Sequence, residues 1–430
     1  MNSDTVRFLM DEYNIGKNVI KVAEDAEKEI KGVFERIDLV REYNQLKVMK
    51  AMQRNRVSDT LFGGTTGYGY DDRGREALDA VYADIFKAED ALVRHQIVSG
   101  THAIALCLFG NLRPGDELLC ITGKPYDTLE ELIGMRGEGK GSLKDFGIAF
   151  KQVNLKNDGG LDYDAVRKAI APKTKMVFIQ RSRGYDWRAS LRLEDIKKAA
   201  AFIKSVSESI IIMVDNCYGE FVEEVEPVEA GADIAAGSLI KNPGGGLAPT
   251  GGYIAGKSEY VGKAACRLTS PGIGKKVGAT LGINRHFFQG IFMAPHVVAE
   301  SLKGAVFCSA VLKMLGFETS PGAFEKRGDI IQAVRFGSPD TLIAFCKGIQ
   351  AASPVDAHVT PEPWDMPGYG SQVIMAAGTF VQGASIELSA DAPIKPPYTA
   401  YMQGGLVYEH AKLGVMTAVK LMAEKGMLRI

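Results

Sequence analysis

Asp215 and Lys241 are the residues whose types and positions most clearly suggest chemistry, because each follows a short apolar run. Residues 210–214 (IIIMV) predict a buried strand that brings Asp215 to its carboxyl end, where parallel sheets bind ligands. A carboxylate there needs a cationic partner, although an aspartate that caps the next turn has the same pattern. Residues 237–240 (GSLI) predict a second strand that ends at Lys241. Partial burial would lower the pKa of this lysine and favour Schiff-base chemistry; a solvated lysine at a strand end is the ordinary alternative.

A predicted helix start at Ser99 is the next feature that suggests a binding site. Residues 97–105 (IVSGTHAIA) indicate a strand that turns at Ser99 and Gly100 into a helix from Thr101. Free N–H groups and the positive end of the helix dipole suit a phosphate, whereas a capped helix start without a ligand has the same pattern. Tyr126 follows the next apolar run and could stack on a flat heteroaromatic ligand, although an ordinary core tyrosine fits equally well.

The elements that must position these residues alternate between short apolar strands and helices. Several strands are apolar without alternation, which is typical of strands covered on both faces. We therefore predict an α/β fold with a mostly parallel sheet and right-handed crossovers. The predicted strands are 117–122, 148–155, 176–180, 210–215, 233–240 and 252–255, and the intervening helices include 162–170 and 193–206.

The two ends of the chain do not continue this alternation of strands and helices. A long helix over residues 19–56 carries an apolar stripe that is hard to satisfy within one subunit (Ile30, Val33, Phe34, Ile37 and Val40), and an irregular arm follows at 62–70. Near the C-terminus we predict helices over 297–315 and 406–425, with a functional loop rich in Pro and Gly at 353–371. The predicted domains are an N-terminal helical segment and arm (1–62), a large domain (63–295) and a smaller α+β domain (296–430).

Composition excludes several classes of function. The 51 lysines and arginines nearly cancel the charge of the 52 acidic residues. We therefore expect no extended positive electrostatic potential that would attract nucleic acid or an anionic membrane. The N-terminal residues lack the apolar region of a signal peptide, and no run is long enough to span a bilayer, so we expect a cytoplasmic protein. Six scattered cysteines without CxxC pairs predict neither a metal site nor a disulfide framework.

In this chain order, the four features resemble the pyridoxal 5′-phosphate (PLP) enzymes of the aspartate-aminotransferase superfamily, most closely the cystathionine and methionine lyase group. The resemblance implies that Lys241 forms the Schiff base, Asp215 pairs with the pyridine nitrogen and Tyr126 stacks on the ring. It also implies a phosphate site formed by Ser99, Gly100, Thr101 and Ser238.

Longer stretches are similar to a narrower group, the aluminium-resistance or methionine gamma-lyase family proteins. These stretches include SGTHAIALCLFGNLRPGDELL, GSLIKNPGGGLAPTGGYIAGK and IELSADAPIKPPYTAYMQGGL, and the similarity runs from about residue 60 to the end. The resemblance implies a PLP-dependent transferase-like fold and a carbon–sulfur lyase acting on a sulfur-containing amino acid, by β- or γ-elimination. Another PLP reaction, such as amino transfer, would share the same residues and stays open.

Two positions depart from the pattern of the lyase group. Its Y-x-R motif, which reaches the partner subunit's phosphate in a dimer with shared active sites, is replaced here by the neighbourhood of Tyr68, Tyr70 and Arg73. The resemblance implies such a homodimer, or a homotetramer of two dimers. The arginine that grips the substrate carboxylate corresponds to Glu387. We expect that role, or other substrate contacts, from Arg181, Arg183, Arg188, Tyr185 or Lys395.

Two further alternatives are a catalytically idle protein that keeps the fold, which the presence of both Lys241 and Asp215 disfavours, and a nucleotide-hydrolysing protein. Residues 251–258 (GGYIAGKS) match the phosphate-loop pattern G-x-x-x-x-G-K-[ST]. Such a loop follows a strand and opens a helix, whereas residues 252–255 are themselves predicted to be a strand. This context argues against a nucleotide-hydrolysing protein.

Overall fold

The chain forms two compact units in a computed structural model that describes residues 1–366 and 370–430. The central unit comprises Tyr43–Gly184 and Arg188–Ala294, and the terminal unit comprises Met1–Glu42, Tyr185–Trp187 and Pro295–Ile430. The predicted segment 1–62 is thus divided between both units. Two helices, α2 (Lys17–Arg54) and α9 (Asn284–Met314), have residues in each unit. The partition of the chain into folding domains stays a prediction.

The central unit is built on a seven-stranded, mostly parallel sheet. Its order is β1-β7-β6-β5-β4-β2-β3, in which β7 runs antiparallel to both β1 and β6. This arrangement confirms the predicted α/β fold. The strands are β1 (Asp90–Arg94), β2 (Glu117–Cys120), β3 (Ala149–Gln152), β4 (Thr174–Gln180), β5 (Ile211–Asp215), β6 (Ile234–Ser238) and β7 (Gly252–Gly256).

Helices cover both faces of this sheet, which explains the apolar runs. On β5, Ile211 and Met213 belong to one buried apolar cluster, whereas Ile212 and Val214 belong to another on the opposite face. Every residue of this strand is therefore buried. The helices of the central unit are α3 (Arg73–Phe86), α4 (Gly100–Asn111), α5 (Asp127–Ile133), α6 (Tyr163–Ala169), α7 (Leu193–Val206) and α8 (Ser258–Leu268).

The terminal unit contains a five-stranded antiparallel sheet of order β10-β11-β12-β9-β8. Its strands are β8 (Glu318–Ser320), β9 (Gln332–Arg335), β10 (Val373–Ala376), β11 (Ser389–Pro393) and β12 (Thr399–Gln403), and its remaining helices are α1 (Ser3–Tyr13), α10 (Pro339–Ala351) and α11 (Tyr408–Glu424). The predicted functional loop at 353–371 includes residues 367–369, which lie outside the described residues.

The apolar stripe of α2 finds its partner within the same chain. Ile30 and Val33 belong to the buried core of the terminal unit, and Phe34 and Ile37 pack against that core. The Phe34 ring lies 5.2 Å from that of Tyr408. Our expectation that this stripe needs a second subunit is therefore wrong, because distant residues of the same chain cover it.

The phosphate-loop alternative is wrong for a structural reason. Residues Gly252–Gly256 form β7 itself, hydrogen-bonded to strands on both sides, so their backbone N–H groups are committed to the sheet. Lys257 caps the following helix, and its ammonium pairs with Asp233 at 2.7 Å. Neither a loop nor a free lysine is left to hold a nucleotide phosphate.

Within the described part of the chain, no helix combines the length and the apolar character that crossing a membrane requires. The same residues contain no group of histidine, cysteine or acidic side chains arranged to hold a metal ion. The six cysteines are free, and all but Cys266 are buried.

Candidate active site

The carboxyl ends of β4, β5 and β6 lie side by side and bring the predicted residues together. Gln180, the last residue of β4, is in register with Asp215, which in turn is in register with Ala236 of β6. Strand β6 ends at Ser238, and Lys241 follows in the next turn. Parallel strands deliver their carboxyl ends to one edge of a sheet, which is where ligands bind in such folds.

Asp215 is a buried carboxyl group without a cation of its own. Its side chain is 8% exposed, and it accepts the N–H of Cys217 at 3.0 Å. Among the described residues, no lysine or arginine lies within ion-pair distance of it. Burial raises the pKa of Asp215, and the positive charge of Lys241 offsets this shift only in part. A cationic ligand group at this position would stabilise the carboxylate.

Lys241 is partly buried, and its amine lies 4.1 Å from the centre of the Tyr218 ring. Burial by itself favours the neutral amine, but the charges of Cys217, Tyr218, Asp215 and Glu220 outweigh it and raise the pKa of Lys241. Our expectation of a lowered pKa is therefore wrong for the cofactor-free chain. The cause is the group of acidic neighbours, most of which stand close to Asp215 in the sequence.

The start of α4 faces these residues. Ser99 caps the helix, and its hydroxyl accepts the N–H of His102 at 3.1 Å. Gly100 lies so close to the neighbouring segments that a Cβ there would stand 3.0 Å from Cys217 Sγ and 3.4 Å from Ser238 Cβ. The first N–H groups of a helix lack acceptors within the helix, so this turn offers donors beside Ser238.

Tyr126 is tied to the same edge through its backbone N–H, which donates to Gln180 Oε1 at 2.7 Å. Two residues further on, the Thr128 hydroxyl lies 2.8 Å from that of Thr101 at the start of α4. A Cβ on Gly184, whose φ is +60°, would lie 3.2 Å from Tyr126 Cδ2, so the loop after β4 runs closely against the ring. The ring therefore belongs to the same edge of the sheet as Asp215.

These residues fit a ligand that has a cationic ring nitrogen, a group that reacts with an amine, and a phosphate. Asp215 supplies the buried anion for the nitrogen, Lys241 supplies the amine, and Gly100 lets the helix start, with its backbone donors, lie close to Ser238. PLP has all three features. The donor set therefore suits the cofactor that the resemblance implied.

Arg181 is committed to the protein interior. Its side chain is fully buried, and Nη1 donates to Asn216 Oδ1 and to the Gly219 carbonyl, each at 2.8 Å. Nη2 donates to Glu223 Oε2 at 3.0 Å. A Cβ on Gly219 would lie 2.5 Å from Arg181 Nη1, so glycine is required for this packing. Arg181 thus holds the segment that follows Asp215.

The other two candidate arginines lie in the loop after β4. Arg183 is buried and directly precedes Gly184, the residue that packs against Tyr126. Arg188 donates through Nη2 to the carbonyl oxygen of Gln180 at 3.0 Å and thereby holds the loop. Arg183 is therefore the arginine of this loop that directly adjoins the residue packed against Tyr126.

Two further candidates line a small pocket of about 160 Å³ in the terminal unit. The Tyr185 ring is tilted against that of Tyr401 at 5.3 Å, and Lys395 is exposed. In the same pocket, the Arg335 guanidinium lies 3.9 Å from the centre of the Trp187 ring. Tyr185 and Lys395 thus line the same pocket.

Glu387 has a structural task in the terminal unit. Its carboxylate accepts the backbone N–H groups of Phe380 at 2.7 Å and Val381 at 2.8 Å. Burial raises the pKa of Glu387, and these two hydrogen bonds act in the opposite direction. The glutamate that replaces the expected arginine therefore anchors a turn.

The predicted arm residues lie at the surface of the single chain. Tyr68 and Tyr70 are 70% and 63% exposed, and their rings stack at 5.4 Å. Arg73, the first residue of α3, is also exposed. Two exposed aromatic rings are unusual away from an interface, and the role of these residues in a shared site stays a prediction.

Sequence reasoning missed Cys217 and Glu220, which lie in the turn after β5 and act on Lys241 through their charges. Their position directly after Asp215 was the available signal. Neither residue forms part of a pattern that local periodicity reveals.

The fold and the site together define the class of PLP-dependent enzymes. A solved PLP-dependent protein, YhfS from Escherichia coli, shares the fold with a TM-score of 0.60 at 18% identity and covers 90% of this chain and 97% of its own. At that identity the likeness concerns the fold alone.

The family model for methionine gamma-lyase matches residues 19–423. The uncharacterized protein YnbB of Bacillus subtilis strain 168 is 55% identical over 98% of this chain and 100% of its own length. A solved carbon–sulfur lyase involved in aluminum resistance, from Clostridium novyi NT, has a TM-score of 0.94 at 51% identity, covering 97% of this chain and 99% of that one. The chain therefore belongs to the methionine gamma-lyase family, which confirms the resemblance found in the sequence.

Proposed function

We propose that this protein is a PLP-dependent carbon–sulfur lyase that acts on a sulfur-containing amino acid. The observation that carries the proposal is the buried carboxyl group of Asp215, which has no cation of its own and lies beside the segment of Lys241. Membership of the methionine gamma-lyase family supports the same reaction class. The alternative of amino transfer has no specific observation in its favour.

In this proposal, Lys241 binds the cofactor aldehyde, Asp215 holds the ring nitrogen and Tyr126 covers the ring. The phosphate is held by the start of α4 (Ser99, Gly100, Thr101) together with Ser238. Bound PLP supplies an electron-withdrawing ring that stabilises negative charge at the substrate α-carbon.

Lys241 is the residue that we assign to the proton transfer at the α-carbon. In the free chain, acidic neighbours hold its proton tightly. A cationic ring nitrogen beside Asp215 would cancel one of these negative charges and lower the proton affinity of the amine. The same pair of residues would then both anchor the ligand and prepare the base.

We assign the substrate carboxylate to Arg183. Arg181 is engaged by three acceptors, and Arg188 holds the backbone of its own loop. Arg183 directly precedes the residue that packs against Tyr126, and a guanidinium can bind a carboxylate through two parallel hydrogen bonds. Tyr185 and Lys395 remain the other proposed substrate contacts.

We propose a homodimer, or a homotetramer of two dimers, in which Tyr68, Tyr70 and Arg73 reach the partner's site. Their exposure in the single chain supports this assignment, because stacked tyrosines at the surface are well suited to an interface. We place the enzyme in the cytoplasm, where its six free thiols would stay reduced.

The test is a substrate screen with PLP-loaded protein. Methionine, homocysteine, cystathionine and cysteine are offered separately, and the released thiol (hydrogen sulfide for cysteine and homocysteine), the oxo acid and ammonia are quantified. We expect at least one of them to yield the three products in equal amounts. Transfer of the amino group to an added oxo acid, without release of thiol, would refute the lyase assignment.

A further inference from the structure

The segment that follows Asp215 carries a buried polar cluster that the proposed reaction does not use. Its members are Asn216, Glu220, Glu226 and Tyr253, all of them buried. Tyr253 donates to Glu220 Oε1 at 2.8 Å, and Asn216 Nδ2 donates to Glu226 Oε2 at 3.1 Å and to the Tyr253 hydroxyl at 3.2 Å. The four side chains therefore form one connected network.

The two carboxyl groups of this network differ in their surroundings. Burial raises the pKa of Glu226, but the positive charges of Lys47 on α2 and of Arg181 act against that shift, and the N–H of Phe221 donates to it at 2.9 Å. Among the described residues, Glu220 has no ion pair, and its Oε2 is buried without a hydrogen-bond partner. An ionised carboxylate with one unsatisfied buried oxygen is costly, so this position favours the protonated acid.

Burial raises the pKa of Glu220 to about 8, and the charge of Glu226 adds to this effect. The backbone N–H of Glu220 itself, the hydrogen bond from Tyr253 and the charge of Lys241 offset this shift only in part. Other titratable groups that face this carboxyl group are Tyr82 of α3 and Cys217 of the same turn, and burial raises the pKa of both. The raised pKa and the unsatisfied oxygen together favour the protonated carboxyl group of Glu220 at neutral pH.

Glu220 lies directly behind the segment that carries Lys241. A Cβ on Gly237 of β6 would stand 2.5 Å from Glu220 Oε1, and Asn242 Nδ2 donates to the Glu220 carbonyl oxygen at 3.0 Å. Glu220 thus packs closely against Gly237, before the turn that contains Lys241, and is hydrogen-bonded to Asn242, directly after Lys241. The negative charge of Glu220 accordingly acts on the lysine amine.

We propose that Glu220 is a positioning residue for Lys241. Its carboxyl group, packed against the segment that carries the lysine, controls the charge of the lysine amine by being protonated or ionised. This inference rests on the proposed function. When Glu220 is neutral and Asp215 faces a cationic ring nitrogen, two of the four neighbouring charges that hold the lysine proton are cancelled, so the amine acts more readily as a base. When Glu220 ionises, its charge stabilises the ammonium form and opposes that role.

The test measures the reactivity of Lys241 in cofactor-free protein, by trace acetylation with acetic anhydride and mass spectrometry of the labelled peptide. Only the neutral amine reacts, so the rate reports the proton affinity of the amine. In Glu220→Gln the side chain stays neutral at every pH. We expect Lys241 in this variant to react about three- to thirtyfold faster than wild type at pH 9, and at the same rate at pH 6.

The matched control is Glu226→Gln, which removes the other carboxyl group of the network. Because Glu226 faces Lys47 and Arg181, we expect Lys241 labelling at pH 9 to stay within about twofold of wild type. A purely structural role for Glu220 would change labelling equally at pH 6 and pH 9. That result, or a wild-type rate at pH 9 in a folded Glu220→Gln protein, would overturn the proposal.

A second variant serves if Glu220→Gln does not fold. Tyr253→Phe removes the hydrogen bond that favours ionised Glu220, so the slowing of Lys241 labelling should begin at a higher pH than in wild type. An unchanged pH profile in this variant would also overturn the proposal. Because both measurements use the free chain, they remain informative if the protein binds no PLP. In that case the proposed function would fail and the behaviour of Glu220 would still be decided.

Discussion

Two buried carboxyl groups, one in each unit, show how similar residues serve different purposes. Glu387 of the terminal unit accepts two backbone N–H groups at 2.7 and 2.8 Å. Asp215 of the central unit accepts the N–H of Cys217 at 3.0 Å and has no cation within ion-pair distance among the described residues. Burial raises the pKa of both groups. The difference lies in their partners: Glu387 accepts two hydrogen bonds from its own chain, whereas Asp215 accepts one and is the group that we propose for a ligand.

The arginines of the loop after β4 also differ in their surroundings. Arg181 has three acceptors and is fully buried, which commits it to the fold. Arg183 lies beside the residue that packs on Tyr126 and is our choice for the substrate carboxylate. Arg181 shows that a charged residue at a strand end can be committed to structural partners, which use up its hydrogen-bonding capacity.

The largest effect is expected from Lys241→Ala. Purified protein should lose the visible absorption band of lysine-bound cofactor, and borohydride should no longer attach the cofactor to the chain. Turnover should fall by about 10²–10⁴-fold, because the proposed base is removed. Lys257→Ala is the matched control, since Lys257 follows the neighbouring strand but pairs with Asp233. A retained band in Lys241→Ala would remove the basis of the proposed function.

The comparison of the two carboxyl groups is tested by Asp215→Asn and Glu387→Gln. We expect Asp215→Asn to lower kcat/KM by about 10²–10³-fold, because an electrostatic partner of the reacting ring is lost. Urea unfolding of the cofactor-free variant should show unchanged or greater stability, because a buried charge without a cation disappears.

Glu387→Gln should behave in the opposite way. Its amide can accept only one of the two backbone hydrogen bonds, so we expect a loss of about 1–2 kcal/mol in the free energy of unfolding. Activity of the folded protein should stay within about threefold of wild type. If this variant instead lost activity and kept its stability, the assigned contrast between the two units would be wrong.

The smallest effect distinguishes the candidate carboxylate ligands. Arg183→Ala should raise KM by about 10- to 100-fold, as expected for a lost charged hydrogen bond, whereas the exposed Lys395 should change KM by less than about threefold when replaced by Ala. Steady-state kinetics with the substrate found in the screen provides the measurement. The reverse ranking would move the carboxylate contact to the terminal unit.

Much of the secondary structure could be predicted, because it depends on local patterns. The predicted helix 193–206 coincides with α7 (Leu193–Val206), and the predicted strand 252–255 lies within β7. The predicted helix 297–315 starts too late, because Pro295 resembles a helix boundary but lies inside α9. Strand β1 (Asp90–Arg94) was missed because it is short, with a charged residue at each end.

The sequence by itself determined the order of the elements and the placement of Asp215 and Lys241 at strand ends. Apolar runs and glycine-rich turns are local signals, and they act wherever the chain later folds. Only the tertiary structure decided which charges are satisfied. Arg181 holds a segment more than thirty residues away, and Glu220 accepts a hydrogen bond from Tyr253 of β7. Such pairings depend on which distant segments become neighbours in the fold. The local periodicity of the sequence does not indicate which segments these are.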